Sequence, residues 1–241
     1  MIEKQLTEWL KRQLDETKRR GYVLGVSGGI DSTLMTKLLL DANIHRKIVY
    51  ADTQLSTHHD DIEYIKSIDM ENMIEVDITS IVQSYRDMFV SSGIAVSSPL
   101  LVNLQARIRE SIFYHLSKIN ELLVIGTVNK AEFNLGYFVK NSSIGDVLPF
   151  ADLTKRQIRE MARTIGVPEY IASRKASGCN GCEYAEQEWK LSENEVDDFC
   201  EHHGLHSPNY ELFARMRLIN RHKCGYPQIF MPNNQNDEQK N

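Results

Sequence analysis

The chain has 241 residues, of which 41% are hydrophobic and 25% are charged, and its formal net charge is −5. This composition allows one substantial core and predicts a single domain over residues 1–231, followed by a polar tail over 232–241. The acidic total, without a basic block, argues against a nucleic-acid-binding protein. No apolar run approaches the roughly 18 to 20 residues that span a bilayer. The N-terminal segment 1–21 is too charged for a signal peptide, so we expect a cytoplasmic protein.

Helical and extended patterns alternate along the first half of the chain. The apolar runs "YVLGV", "KIVYAD", "MIEVDI" and "ELLVIGT" predict four strands, of which the first is expected to be buried. Amphipathic or apolar spacing predicts helices over 2–20, 31–40, 58–68, 80–89 and 101–118. This alternation is typical of an α/β fold in which a doubly wound, Rossmann-like parallel sheet is flanked by helices on both faces.

The last third of the chain is predicted to be mostly helical. A helix follows Asp152 and ends near Gly166, and two more are expected near 192–204 and 209–221. The segment 172–188 between them is irregular and contains two of the four cysteines.

The hexapeptide "SGGIDS", Ser27 to Ser32, lies directly between the first strand and the next helix. Glycines let the backbone approach a ligand closely, and a helix N-terminus offers free amides and a positive dipole end to phosphates. The lysine of the Walker-type loop is missing, so positive charge must come from elsewhere. Asp31 would repel phosphates unless it binds Mg²⁺. The hexapeptide therefore predicts a pyrophosphate site, with a capped Gly-Gly turn as the alternative.

Polar residues follow three of the predicted strands, in "SGGIDS", "ADTQLS" and "GTVNKAE". Ligands of parallel sheets bind beyond the carboxyl ends of the strands. These three segments are therefore expected to meet at one edge of the sheet, which favours the phosphate site over the turn.

The hexapeptide is similar to the signature of the ATP-pyrophosphatase (PP-loop) superfamily, whose members cleave ATP between its α and β phosphates to adenylate a substrate. Further motifs narrow the resemblance: "NLQARIR", "VIGTVNKAE", "GYFVK", "GDVLPFADLTKRQIREMA", "GVPEYI" and "RHK". Their order and spacing resemble the ammonia-dependent NAD⁺ synthetases over nearly the whole chain. The resemblance implies an adenine nucleotide alpha-hydrolase-like fold and a homodimer whose substrate pocket borrows residues from the partner chain.

The resemblance also implies roles for the residues at matching positions. Asp31 and Glu132 would bind Mg²⁺, and Asp31 and Lys155 would be catalytic. The residues that would bind ATP are Gly25, Val26, Ser27, Gly28, Gly29, Ile30, Asp31, Ser32, Thr127, Lys155 and Ser177. Those that would bind deamido-NAD⁺ are Arg107, Lys140, Asp146, His222 and Lys223.

The reaction implied by the resemblance has two steps. The nicotinate carboxylate of deamido-NAD⁺ attacks the α-phosphate of ATP and releases pyrophosphate, and ammonia then displaces AMP to give NAD⁺. The chain has no room for a fused glutaminase domain, so free ammonia or a separate amide-nitrogen donor protein would supply the nitrogen.

The segment after Lys175 departs from the family pattern. Ala176 replaces the usual proline, and Ala185, Trp189, Lys190 and Glu193 replace the usual Asp, Leu, Gly and Tyr. The identity of the carboxylate substrate is therefore open, and an enzyme that amidates another carboxylate is one alternative.

Four cysteines lie in the last quarter of the chain, two of them in the altered segment. Cys179 and Cys182, with Cys200 and His203, have the spacing of a structural zinc site. Incidental thiols, an iron–sulfur centre, and redox or sulfur-transfer chemistry are the alternatives for this pair. A sulfur-transferring PP-loop enzyme and a catalytically silent nucleotide-binding protein are therefore two further hypotheses for the function.

Overall fold

A parallel sheet forms the centre of the protein. The structure, a computed structural model, describes residues 2–53, 60–142, 144–175, 191–201 and 209–225. Within these ranges the strands are β1 (Tyr22–Gly25), β2 (Arg46–Asp52), β3 (Met73–Asp77) and β4 (Leu123–Ile125). Their order in the sheet is β3-β2-β1-β4, and all neighbours are parallel. The four strands correspond to the four apolar runs of the sequence.

Helices connect the strands and cover the sheet. Over the described residues they are α1 (Ile2–Thr17), α2 (Ile30–Asp41), α3 (Asp60–Asp69), α4 (Thr79–Ser91), α5 (Ser98–Asn120), α6 (Lys130–Leu135), α7 (Lys155–Thr164), α8 (Glu169–Ala172), α9 (Glu193–Glu201) and α10 (Tyr210–Asn220). Short 3₁₀ turns cover Met70–Asn72 and Arg221–Lys223. None of the described helices is both long and apolar enough to cross a membrane.

The two faces of the sheet are buried in two different apolar cores. Leu24 of β1 faces a core that it shares with residues of α1, α2 and α7. Val23, the preceding residue, points to the opposite core, where Val82 of α4 and Ile108 of α5 pack. Alternate residues of a strand point to opposite faces, so β1 is covered on both sides. The predicted doubly wound α/β fold is confirmed.

A smaller apolar cluster joins the last helices to α6. Leu135 of α6 packs with Val196 and Phe199 of α9 and with Phe213 of α10. The rings of Phe199 and Phe213 stack with their centroids 3.9 Å apart. This cluster fixes α6, which carries Glu132, against α9.

Local capping decides two element boundaries that periodicity did not predict. Helix α7 begins at Lys155 because Thr154 and Gln157 form a capping box, in which each side chain bonds the backbone of the other. Asn129 and Glu132 form the same box at the start of α6. Helix α6 has only six residues, too few for an apolar period to be visible in the sequence.

Candidate active site

The glycine loop connects β1 to α2 at the carboxyl edge of the sheet. Gly28 has φ +80°, a conformation that a side chain would strain. Gly29 is the N-cap of α2, and no side chain of the described residues caps this helix. The first-turn amides of Ile30 to Ser32 therefore remain available to an anion. The loop closes through the Ser32 hydroxyl, which accepts from the Ser27 amide at 3.4 Å and donates to the Gly29 carbonyl at 3.1 Å.

Gly25 and Val26 hold the loop against its neighbours. The Val26 amide donates to the carbonyl of Val49 on β2 at 2.9 Å, which extends the pairing of the two strands to the loop. A Cβ on Gly25 would lie 2.3 Å from the ring of Phe113 on α5. A glycine is required here because the aromatic ring of α5 packs directly on the backbone.

Lys155 and Asp31 form a buried ion pair in front of the loop. Lys155 Nζ donates to Asp31 Oδ2 at 2.5 Å, and the side chains are 7% and 18% exposed. Burial opposes the charge of Lys155, but Asp31 and Glu132 outweigh it and raise the lysine pKa above its usual value. The chain thus places a permanent cation where the sequence lacks a Walker lysine.

Glu132 supplies a second carboxylate beside this pair. Its Oε2 accepts from the Asn129 amide at 3.0 Å, and the Asn129 side chain accepts from the Glu132 amide at 3.1 Å, so the capping box fixes its orientation. Burial, followed by the charge of Asp31, raises the pKa of Glu132, and Lys155 opposes this shift. Two carboxylates that lie side by side in a buried site repel each other unless a cation lies between them, so the pair favours a bound metal ion.

The donor set fits Mg²⁺. Asp31 Oδ1 is buried and has no hydrogen-bond partner among the described residues, so one ligand oxygen remains unused by the protein. Mg²⁺ is held in proteins by one or two carboxylates together with substrate phosphates and water. Asp31 and Glu132 provide these carboxylates, one from the glycine loop and one from α6.

Two further residues, Thr127 and Ser177, were predicted to bind ATP, and only Thr127 lies within the described residues. Thr127 is partly exposed and follows β4 at the same edge of the sheet, where the Gly126 amide bonds the Val147 carbonyl at 2.9 Å. Ser177 lies outside the described residues.

Three of the predicted substrate residues lie together, at the junction of α6 and the 3₁₀ turn after α10. Lys140 Nζ donates to the His222 carbonyl at 2.8 Å, and Lys223 Nζ donates to the Gly136 carbonyl at 2.9 Å. Lys223 also lies over the ring of Phe138, 5.9 Å from its centroid. The turn is thus tied to the segment that follows α6.

The other two predicted substrate residues lie elsewhere. Arg107 is exposed on α5, where it bonds Asn103 one turn earlier. Asp146 accepts from the Val124 amide at 2.7 Å and from the Tyr114 hydroxyl at 3.4 Å. Within one chain the described contacts do not join these two residues to Lys140, His222 and Lys223.

Asp146 belongs to a group that the sequence did not reveal. Glu110 of α5 is buried, with 8% of its surface exposed. Its burial, together with the charge of Asp146, raises the pKa of Glu110 to about 7. A single acid on an amphipathic helix carries no sequence signal that would predict this proximity.

The supports of Lys155 were also missed from the sequence. Asp197 and Glu193 of α9 line a small cavity with Lys155, and Glu193 pairs with Arg159 of α7. Asn129 could have been found, since "NKAE" has the spacing of a capping box. Asp197 could not, because it lies 42 residues from Lys155 in the chain.

Only one of the four predicted zinc ligands can be described. Cys200 is buried in the apolar cluster with Phe199 and Phe213, and burial raises the pKa of its thiol to about 11. Cys179, Cys182 and His203 lie outside the described residues. Within the described ranges, no three His, Cys, Asp or Glu side chains are grouped to hold a metal ion.

Comparison with known proteins shows extensive similarity in sequence. The sequence model of the NAD synthase family matches residues 2–220. The NH(3)-dependent NAD(+) synthetase of Alkaliphilus metalliredigens is 29% identical over 236 residues, covering 92% of this chain and 94% of the relative. The enzyme of the same name from Sulfurisphaera tokodaii is 36% identical over 184 residues, covering 72% of this chain and 64% of the relative.

Solved structures share the fold. NMN synthetase from Francisella tularensis superposes with a TM-score of 0.85 at 24% identity, covering 96% of this chain and 97% of the other. NH3-dependent NAD synthetase from Campylobacter jejuni has a TM-score of 0.77 at 23% identity, with 95% and 97% coverage. The family match, which includes the glycine loop, Glu132 and Lys155, agrees with the site geometry. The chain therefore belongs to the NAD synthase family.

Proposed function

We propose that the protein is an ATP-dependent amide-forming ligase that converts deamido-NAD⁺ and ammonia to NAD⁺, AMP and pyrophosphate. The observation that carries this proposal is the buried Lys155–Asp31 pair beside Glu132 in front of the glycine loop. It combines a cation for phosphate oxygens with two carboxylates for Mg²⁺. The two relatives named for their similarity in sequence are NH(3)-dependent NAD(+) synthetases.

In the first step, one oxygen of the nicotinate carboxylate attacks the α-phosphorus, and the bond to the bridging oxygen of pyrophosphate breaks. The uncapped amides of α2 and the cation of Lys155 bind the phosphates and stabilise the charge that develops on them. Positioning and electrostatics account for most of the rate in such a reaction, because the protein forms no bond to the phosphoryl group.

Asp31 and Glu132 would hold Mg²⁺, which supplies charge neutralisation on the phosphates when bound. Asp31 has a second task, since the same carboxylate keeps Lys155 charged and in place. Loss of Asp31 therefore affects the metal and the lysine together.

In the second step, ammonia attacks the acyl carbon of the adenylate and AMP leaves with the oxygen that came from the carboxylate. Lys140, His222, Lys223, Arg107 and Asp146 are proposed to bind the dinucleotide. They lie in separate places within one chain, which supports a homodimer in which the partner completes the pocket. Sedimentation of the purified protein should then give twice the chain mass of 27.7 kDa.

Ammonium is proposed to suffice as the nitrogen source, with a separate donor protein as the alternative. A structural zinc or an iron–sulfur centre at Cys179 and Cys182 stays a prediction, to be checked by elemental analysis of protein purified without chelators. The family match favours the ligase over sulfur transfer.

The test of the proposed function is a substrate panel. The purified protein is incubated with ATP, Mg²⁺, ammonium and, in turn, deamido-NAD⁺, the corresponding mononucleotide, and other carboxylates. The expected result is amidation of deamido-NAD⁺ with equal amounts of AMP and pyrophosphate. Faster amidation of the mononucleotide or of another carboxylate would replace the proposed substrate, and release of ADP would overturn the mechanism.

A further inference from the structure

We propose that Asp197 of α9 is a positioning residue for Lys155. Its carboxylate binds the backbone amides at the start of α7 and so fixes the position of the lysine. The inference rests on the proposed function only in giving Lys155 a role at the phosphates. Nothing in the sequence pattern assigns Asp197 a part in the reaction.

The carboxylate of Asp197 accepts hydrogen bonds from the first two backbone amides of α7. Oδ1 accepts from the Lys155 amide at 3.1 Å, and Oδ2 accepts from the Arg156 amide at 2.8 Å. The next amide, of Gln157, bonds the Thr154 hydroxyl at 3.4 Å. The first three backbone amides of α7, which have no acceptor within the helix, are thus all bound by side chains of the protein. Helix α7 therefore offers an anion its lysine and not its amides.

The carboxylate of Asp197 is buried where it makes these two hydrogen bonds. Only 2% of its surface is exposed, and burial raises the pKa of its carboxyl, although the two amides oppose the shift. A buried carboxylate is costly to the fold unless its hydrogen bonds are well made. An apolar residue would leave the two backbone amides without an acceptor, so Asp197 stabilises the start of α7 as well as orienting it, and activity measurements must separate the two effects.

Further contacts fix the relative position of α9 and α7. Glu193, one turn before Asp197, pairs with Arg159 at 2.7 Å. The pairs on the outer side, of Arg156 with Asp198 at 2.8 Å and with Glu201 at 3.1 Å, are exposed to solvent and add little to the position of α7. Glu193 also contributes to the raised pKa of Lys155. Helix α9 therefore holds α7 along its first turn and a half.

This arrangement determines where the lysine ammonium lies. Lys155 leaves α7 at its first residue, so any tilt of the N-terminal turn moves the side chain directly. Asp197 fixes the base of that side chain, and Asp31 fixes its tip at 2.5 Å. A cation that is displaced by about 1 Å from the transferring phosphoryl group can lose much of its effect on the rate.

The test uses Asp197→Asn, with Asp198→Asn as the matched control. Asparagine keeps the shape, but it offers one acceptor oxygen and turns its amino group towards the other backbone amide. Asp198 is the adjacent acid on the same helix, and it is exposed and bonds only the Arg156 side chain among its described contacts. The measurements are kcat, KM for each substrate and the midpoint of thermal unfolding, for both variants and for Lys155→Ala alone and combined with Asp197→Asn.

Asp197→Asn should lower kcat roughly tenfold to a hundredfold, with little change in KM for deamido-NAD⁺, since the proposed dinucleotide contacts lie elsewhere. Asp198→Asn should leave kcat unchanged. In the Lys155→Ala background, Asp197→Asn should have no further effect on kcat, because there is no lysine left to position. If Asp197→Asn does not fold, Asp197→Ser, whose hydroxyl accepts from one amide, is read in the same way.

Two results would overturn the inference. One is a wild-type kcat in the Asp197 variant, and the other is an equal loss of kcat with and without Lys155. Failure of the proposed function looks different, since the wild-type protein would then prefer another carboxylate of the substrate panel, and the same variants are compared with that substrate.

Discussion

Asp31 contacts or faces both parts of the proposed phosphate site, the buried lysine and the proposed metal position. One of its oxygens pairs with the buried Lys155, and the other is buried without a partner among the described residues. A single carboxylate thus connects the glycine loop, the lysine of α7 and the proposed metal position. Its side chain is the most informative one to replace.

Asp31→Asn is expected to reduce pyrophosphate release by at least about a hundredfold, because both the cation and the metal lose a charged partner. The chain should still fold, with a lower thermal midpoint, since an unpaired buried charge costs about 3–5 kcal/mol. The double variant Asp31→Asn/Lys155→Met removes that charge and should recover stability but not activity. If Asp31→Asn turned over at more than half the wild-type rate, Asp31 would have no place in the site.

Glu110 predicts a pH dependence of stability. Its pKa rises from 4.5 to about 7 in the fold. Between pH 4.5 and 7 the folded protein keeps the Glu110 proton, whereas the unfolded chain has released it. The free energy of unfolding therefore falls as the pH rises through this range, and above pH 7 the effect of Glu110 is constant. At 1.36 kcal/mol per pKa unit, the contribution is about 3 kcal/mol.

Glu110→Gln is always neutral and should remove this contribution. Urea unfolding at pH 5 and pH 8 should show the variant gaining stability over the wild type as the pH rises. Glu71→Gln changes an exposed acid and serves as the control, with the same difference from wild type at both pH values. If the difference in unfolding free energy between Glu110→Gln and the wild type did not grow from pH 5 to pH 8, Glu110 would be ionised in the folded protein at both pH values.

At the residue scale, the sequence predicts the ATP side of the site better than its supports. The residues from Gly25 to Ser32 are contiguous, and Glu132 and Lys155 lie within recognisable motifs. Asp197 meets Lys155, and Glu110 meets Asp146, only through the packing of segments that are far apart in the chain. No local pattern encodes such contacts.

At the element scale, Gly136 connects the helix of Glu132 to the proposed substrate residues. It ends α6 with φ +62°, and a Cβ there would lie 2.3 Å from Cβ of Asn220 at the end of α10. Asn220 also donates to the Leu135 carbonyl at 3.0 Å. The 3₁₀ turn that carries His222 and Lys223 begins at the next residue.

Gly136→Ala should therefore displace this turn and raise KM for deamido-NAD⁺ roughly tenfold, with a smaller effect on KM for ATP. Gly93→Ala is the matched control: its φ is +71°, but no atom of the described residues lies within 4 Å of the added Cβ. The control should lose stability through backbone strain without a change in either KM. Equal KM effects in both variants would assign the result to strain alone.

The four strands and the long helices follow from apolar runs and periodicity, because each buries a face large enough to leave a sequence pattern. The predicted ends are less accurate: α5 extends over Ser98–Asn120, beyond the expected 101–118. Helix α7 starts three residues after Asp152, where its capping box forms. Short helices such as α6 and α8 depend on caps and tertiary contacts and were not predicted.

At the scale of the whole molecule, the doubly wound sheet brings the strand ends of β1 and β4 together and thereby assembles the proposed phosphate site. The glycine loop follows β1, and Thr127 and Glu132 follow β4, its neighbour in the sheet. Helix α7 then returns across the same edge with Lys155. Strand order therefore explains how residues more than a hundred positions apart form one site.

The central claim is that the carboxylate is adenylated, and oxygen labelling tests it most directly. Deamido-NAD⁺ carrying ¹⁸O in its nicotinate carboxylate is turned over with ATP, Mg²⁺ and ammonium, and the products are separated and weighed by mass spectrometry. One labelled oxygen should appear in the phosphate of AMP, because AMP leaves with the carboxylate oxygen that attacked its phosphorus. Unlabelled AMP, or label in inorganic phosphate with release of ADP, would contradict the account.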